Sequence, residues 1–144
     1  MDPKTLEIFD RSLGRCNSKP GFLDRFYERF IAMSPKVAEK FRNTDFVRQK
    51  RALRASFHLM LLAAGDGDGG PERYLSSLAE SHGREQLGIG AEYYDYWLDS
   101  LLAAVREFDH DWDHGVEAAW EQVMGVGIQY LLSHYNDPHG KPAG

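Results

Sequence analysis

Three shortages in the sequence exclude whole classes of protein. Cys16 is the only cysteine in 144 residues, so we expect neither a disulfide framework nor a cysteine-based zinc site, which favours the reducing cytoplasm. Lys and Arg number 17 against 22 Asp and Glu, a net charge of -5, so we expect no binding to nucleic acid. The longest apolar run, residues 59–64, is too short to span a bilayer, and residues 1–5 lack a signal-peptide core, so no membrane association is expected.

The sequence also lacks the strict alternation of apolar and polar residues that marks β-strands. Apolar residues recur instead at helical spacing, as Phe22, Phe26 and Phe30 do, and the fold class is therefore predicted to be all-α. Helical patterns run from residue 3 to about 17, from 22 through 30, from 36 to 41, from about 46 to 64, from 71 to 82, from 94 through 108 after the corner 87–90, and from about 116 to 135. We expect one domain over residues 1–137 and a flexible tail over 138–144.

The helix predicted from residue 46 to 64 has two faces of different character. Its inward stripe is predicted to consist of Ala52, Leu53, Phe57, Met60 and Leu61. Gln49 lies one turn before Leu53 and faces roughly the same way, whereas His58 points elsewhere. Basic residues form a rim near the start of the helix: Arg48, Lys50, Arg51 and Arg54.

Two loops resemble binding motifs but fail their requirements. The glycine-rich run 65–70 is predicted to be a flexible loop and not a phosphate loop, because no strand precedes it and no Lys-Ser or Lys-Thr pair follows. The acidic run 109–115 alternates like a calcium loop, but its twelfth position is Trp120, where a bidentate Glu is required. We expect an acidic interhelix loop with Trp112 packed into the core.

His82 is the candidate metal ligand of the chain. It stands near the end of one helical pattern and just before the glycine-punctuated corner 87–90. A neutral imidazole is an effective iron ligand, and a helix end leaves space beside the ring for a flat macrocycle.

The order of these features resembles the globin family, and specifically its single-domain bacterial members. The residues that carry the resemblance are Phe26-Tyr27-Glu28-Arg29-Phe30, Ser34-Pro35, Phe41, the run from Gln49 to Leu53, His82, Leu87-Gly88-Ile89, Glu92-Tyr93-Tyr94 and Ala119-Trp120. The resemblance covers most of the chain, roughly from Phe22 to Tyr135. The resemblance implies a globin fold of six to eight helices around a haem pocket, with haem b (iron protoporphyrin IX) as the cofactor.

The resemblance also implies a role for individual residues. His82 is the expected iron ligand, and Phe41 the aromatic ring against the haem. Tyr27, Gln49 and Leu53 match the distal ligand pocket, and Lys50 replaces Gln49 if the register differs by one residue. Further cofactor contacts are predicted at Phe57, Leu78, Leu87, Ile89, Tyr94 and Trp97. His58 is a candidate sixth ligand to the iron, although its angular position argues against that role.

By this resemblance the protein reversibly binds oxygen or another diatomic gas at a five-coordinate iron, with Tyr27 and Gln49 as hydrogen-bond donors. It is then a gas-binding protein and not an enzyme, a monomer or homodimer. The alternatives are a haem enzyme, as a nitric oxide dioxygenase or peroxidase-like activity with a separate reductase, and a gas-sensing module that acts through a partner. The flavohaemoglobin branch places a glutamate near the position of Tyr135, and its absence here weakens the analogy to oxygen-activating enzymes.

Overall fold

The computed structural model describes the backbone of residues 1–85 and 91–135, and the side chains of residues 1–77 and 92–133. Within these ranges the chain forms seven α-helices, one 3-10 turn and no strand. The elements are α1 (Pro3–Asn17), α2 (Phe22–Ala32), α3 (Pro35–Lys40), α4 (Phe46–Gly65), a 3-10 turn (Gly67–Gly69), α5 (Gly70–Glu85), α6 (Ala91–Phe108) and α7 (His114–Tyr135). The prediction of an all-α fold is confirmed. No described helix has the length and apolar content needed to cross a membrane.

Local capping explains where the early helices begin. Asp2, Ser34 and Asp45 each precede a helix, and the side chain of each accepts a hydrogen bond from a backbone N–H of the first turn. Proline follows Asp2 and Ser34 at the first helical position, where its missing N–H costs nothing. α1 and α4 therefore begin at residues 3 and 46, as the sequence predicts, and α3 begins at Pro35, one residue before the predicted start.

The core has Trp120 of α7 at its centre. This side chain is fully buried, and its ring meets Phe9 of α1 at 4.7 Å, Phe57 of α4 at 5.7 Å and Phe22 of α2 at 6.4 Å between centroids. Edge-to-face contacts of this kind add to the burial of apolar area. Four helices thus meet at one indole, which holds α4 in place relative to α1, α2 and α7.

The glycine-rich run is more ordered than predicted. Residues 67–69 form a 3-10 turn, and α5 begins at Gly70, one residue before Pro71. Gly67 has a positive φ of 69°, and a Cβ at Gly70 would lie 2.1 Å from the carbonyl oxygen of Ala63. The run contains glycine because α4 and α5 approach one another closely at this connection.

One prediction of burial needs correction. Ala52 is exposed, and Ser56 is buried in the stripe instead, where its hydroxyl donates to the carbonyl of Leu53 at 2.7 Å. A pattern of apolar residues does not include serine, but a serine hydroxyl can be buried when it finds a partner within its own helix. Trp112 packs against the core as predicted and is half-buried, with the Arg106 guanidinium 4.4 Å from its ring centroid.

Candidate functional site

Tyr27 stands in an aromatic wall built by α2 and the α3–α4 connection. Its side chain is 5% exposed. The ring makes edge contacts with Phe41 at 5.7 Å and Phe46 at 5.3 Å, and Phe41 stacks on Phe46 at 6.0 Å. The structure therefore brings Tyr27, Phe41 and Phe46 together, and for Phe46 the sequence predicted only a helix start.

Gln49 is the polar neighbour of the Tyr27 hydroxyl. Burial raises the pKa of Tyr27 to about 12, and a hydrogen-bond contribution from the Gln49 side chain lowers it in part. The phenol is accordingly protonated at neutral pH, and its O–H is available as a donor.

The start of α4 fixes Gln49 in this position. The carboxylate of Asp45 caps the helix by accepting hydrogen bonds from the N–H groups of Val47 and Arg48. The backbone carbonyl of Asp45 accepts a hydrogen bond from the N–H of Gln49 at 2.9 Å. Leu53 follows one turn later and is 8% exposed. Gln49 and Leu53 therefore lie on the buried side of α4.

Lys50 and His58 lie on other sides of the same helix. The Lys50 amino group forms an ion pair with Asp24 of α2 at 2.7 Å, with its side chain 26% exposed. His58 is exposed. In this register it is Gln49, and not Lys50, that interacts with Tyr27.

The remaining described candidates lie on α4 and α6. Trp97 of α6 is half-buried, and its ring meets Phe26, the sequence neighbour of Tyr27, at 5.9 Å. Phe57 is fully buried against Trp120 in the inner core. Tyr94 is half-buried, whereas the adjacent Tyr93 is 8% exposed. Tyr93 is therefore the more buried of the pair on α6.

The other face of the predicted pocket involves α5, which includes position 82. The side chains of Leu78 and His82, and residues Leu87 and Ile89, lie outside the described residues. The first half of α5 is anchored: Leu75 is fully buried, and the Tyr130 hydroxyl donates to Glu72 at 2.8 Å. These contacts join the helix to α7.

The chemistry of the described wall fits a haem. Aromatic and aliphatic side chains, namely Tyr27, Phe41, Phe46 and Leu53, present the apolar surface that a porphyrin requires, and the polar groups set into it, the Tyr27 phenol and the Gln49 amide, are neutral. Two neutral donors suit a small polar gas beside an apolar macrocycle. This donor set is consistent with the predicted cofactor.

The sequence analysis missed one buried polar cluster, at the corner between α6 and α7. Asp109, 3% exposed, accepts hydrogen bonds from Ser12 at 2.6 Å and from the Arg15 Nη2 at 2.9 Å. The indole N–H of Trp120 donates to the Ser12 hydroxyl at 2.9 Å. Among the alternating acids of 109–115 nothing local distinguishes Asp109, because its partners are almost a hundred residues away in the chain.

Comparisons with known proteins agree with this architecture. The family model described as Globin matches residues 24–131. A protein from Pseudomonas aeruginosa, whose crystal structure is described as structurally highly homologous to a human haemoglobin, is 40% identical in sequence, with a TM-score of 0.82. The match covers 91% of this chain and 98% of that one. No curated protein sequence matches.

Proposed function

This chain belongs to the globin family, and from that premise we propose that it binds haem b and reversibly holds a diatomic gas, with oxygen the first candidate. His82 is the proposed iron ligand, and Tyr27, Gln49 and Leu53 are the proposed gas-facing residues. Phe41 is the proposed aromatic contact to the macrocycle. The observation that carries the proposal is the buried phenol of Tyr27, enclosed by aromatic rings and paired with the Gln49 amide.

When bound, the haem supplies an iron that takes up a small gas reversibly. The protein supplies hydrogen-bond donors beside the gas. The Tyr27 hydroxyl and the neighbouring Gln49 amide can each donate to a polar ligand. One such hydrogen bond contributes about 1 kcal/mol, which is roughly fivefold in affinity.

The first test of this proposal is the substitution Tyr27→Phe in the haem-loaded protein. Loss of the hydroxyl removes one donor, so oxygen should dissociate roughly fivefold faster or more. Stopped-flow displacement of oxygen by carbon monoxide gives the rate. Tyr96→Phe, which removes a half-buried hydroxyl on α6, is the matched control and should leave the rate unchanged. Equal rates for wild type and Tyr27→Phe would remove Tyr27 from this role.

The second test addresses the iron ligand. His82→Ala should lose the Soret signature of an imidazole-bound haem, because removing the ligand removes the bond to the iron. Absorption spectra of ferric and ferrous protein, after addition of exogenous haem, provide the measurement. His58→Ala, which alters an exposed histidine, should keep the wild-type spectrum. An unchanged axial signature in His82→Ala contradicts the assignment, and a six-coordinate ferrous spectrum that becomes five-coordinate in His58→Ala would identify His58 as the sixth ligand.

We also infer a cytoplasmic location. The chain's single thiol, Cys16, is fully buried, and burial raises its pKa to about 12. It is therefore kept as an unreactive thiol and needs no oxidising compartment.

A further inference from the structure

The outer face of α4 carries a concentration of positive charge that the rest of the chain does not share. The protein has a net charge of -5. Nevertheless α4 contains four Lys and Arg residues and no Asp or Glu. Lys50 is paired with Asp24. Arg48, Arg51, Arg54 and His58 are exposed, and the described residues provide no ion-pair partner for any of them.

These cations are not explained by the stability of α4 itself. Arg48 and Arg51 stand in the first two turns, where the positive end of the helix dipole disfavours cations. Arg48 and Arg51 are also three residues apart, so they are neighbours on the helix surface, and their like charges repel and destabilise the helix.

Apolar side chains are interspersed with the charges. Val47 is 66% exposed and Leu62 is 49% exposed, the two most exposed of the large apolar side chains in the described residues. Arginine together with exposed apolar residues is typical of protein interfaces, whereas an ordinary solvated face is rich in Lys and Glu. We call the set Val47, Arg48, Arg51, Arg54, His58 and Leu62 the α4 face.

The α4 face lies directly behind the proposed gas pocket. On the opposite side of the same helix, Gln49 interacts with Tyr27, and the buried Leu53 follows one turn later. One α-helix is about 10 Å across with its side chains. A protein seated on this face would therefore be about one helix diameter from the pocket.

We propose that the α4 face is the docking surface for an acidic electron-transfer protein that reduces the haem. This proposal rests on the proposed function, because it requires the haem. One electron leaves the partner's reduced flavin or iron–sulfur centre and converts ferric iron to ferrous iron, and no bond to a protein atom forms or breaks. Charge complementarity selects the partner: the basic face attracts an acidic surface and accelerates the encounter.

Binding is tested first, because it does not require haem. The probe is an acidic plant-type [2Fe–2S] ferredoxin in its oxidised form, titrated against the full chain by microscale thermophoresis. Measurements at about 0.01 M and about 0.15 M salt compare Debye lengths of about 30 Å and about 8 Å. Wild type should bind at low salt and lose about tenfold in affinity at the higher salt.

Charge reversal locates the contact. R48E/R51E should weaken binding about tenfold or more at low salt, and R48K/R51K, which keeps the charge, should retain most of the affinity. The charge-matched control is K4E/R11E on α1, two exposed cations far along the chain from α4. Equal affinities for R48E/R51E and K4E/R11E overturn the proposal.

Electron transfer is tested in the haem-loaded protein. Reduction of ferric haem by reduced ferredoxin should slow about tenfold in R48E/R51E, whereas reduction by dithionite, a small reagent, should not change. Equal ferredoxin rates overturn the proposal. The proposal is also overturned if the protein self-associates and R48E/R51E abolishes that association. It is likewise overturned if wild type binds duplex DNA or anionic vesicles as strongly as it binds ferredoxin. A chain that binds ferredoxin but acquires no Soret band contradicts the proposed function and leaves the docking contact standing.

Discussion

At the scale of single residues, the carboxylate of Asp109 shows how a buried charge is kept ionised. Burial by itself would raise its pKa, but hydrogen bonds from Arg15, Ser12 and the backbone N–H of Asp111 outweigh this effect and hold the pKa below the ordinary 3.8. The group joins α1 to the α6–α7 corner, and through Ser12 it reaches Trp120. An ionised Asp109 is thus part of the folded state.

This arrangement predicts a pH-dependent stability. The folded pKa of Asp109 lies below the unfolded value, so its stabilisation is present above pH 3.8 and is lost as the pH falls through the lower folded pKa. Asp109→Asn should cost about 1–3 kcal/mol at neutral pH, because Arg15 and Ser12 lose a charged acceptor. Urea unfolding at neutral and acidic pH measures the difference, which should shrink in acid. A difference that is constant with pH would show that the ionisation of Asp109 contributes nothing.

The residue scale is also where prediction from sequence fails most. The resemblance to globins implied that Tyr27, Phe41 and Gln49 belong to one pocket, and in the structure Tyr27 contacts Phe41 and interacts with Gln49. The partners of Asp109 could not be predicted in this way, because they depend on how distant helices pack. The burial of Ser56 was not predicted for a different reason: serine is polar, and its hydroxyl donates to a carbonyl of its own helix.

At the scale of helices, the extents of most elements follow from local chemistry. The caps at Asp2, Ser34 and Asp45 give three helix starts in the sequence itself. The glycine-rich connection does not follow from local chemistry. Composition alone indicates a loop. The structure shows that the backbone of α4 lies so close to Gly70 that it leaves no room for a side chain there.

Three glycine substitutions test this distinction between loop and contact. Gly70→Ala places a Cβ 2.1 Å from a backbone oxygen and should destabilise by about 1–3 kcal/mol or more. In Gly127→Ala the new Cβ would lie 2.9 Å from atoms of the Met60 side chain only, and this flexible side chain can move to make room. The control, Gly125→Ala, meets nothing within 4 Å and should gain up to about 1 kcal/mol from helix propensity. Thermal unfolding should rank Gly70→Ala lowest, and any other order contradicts the close approach of α4 and α5.

At the scale of the whole molecule, two regions of one continuous core should respond differently to the cofactor. The inner core around Trp120 joins α1, α2, α4 and α7 without the aromatic wall at Tyr27. The wall belongs to α2 and the α3–α4 connection. A haem that binds only the folded state stabilises the protein by mass action, about 2.7 kcal/mol at a ligand concentration of 100 Kd.

We therefore expect haem removal to reduce protection from exchange at the aromatic wall and to leave protection around Trp120 nearly unchanged. Hydrogen–deuterium exchange of haem-loaded and haem-free protein should show increased exchange in peptides of α3 and the first half of α4. Peptides of α1 and the middle of α7 should be nearly unchanged, because Phe9, Ser12 and Trp120 hold one another without the cofactor. His82→Ala exposed to haem should give the haem-free pattern. Uniform loss of protection across all helices would mean that the Trp120 core does not stand without the cofactor, and the division of the core proposed here would then be wrong.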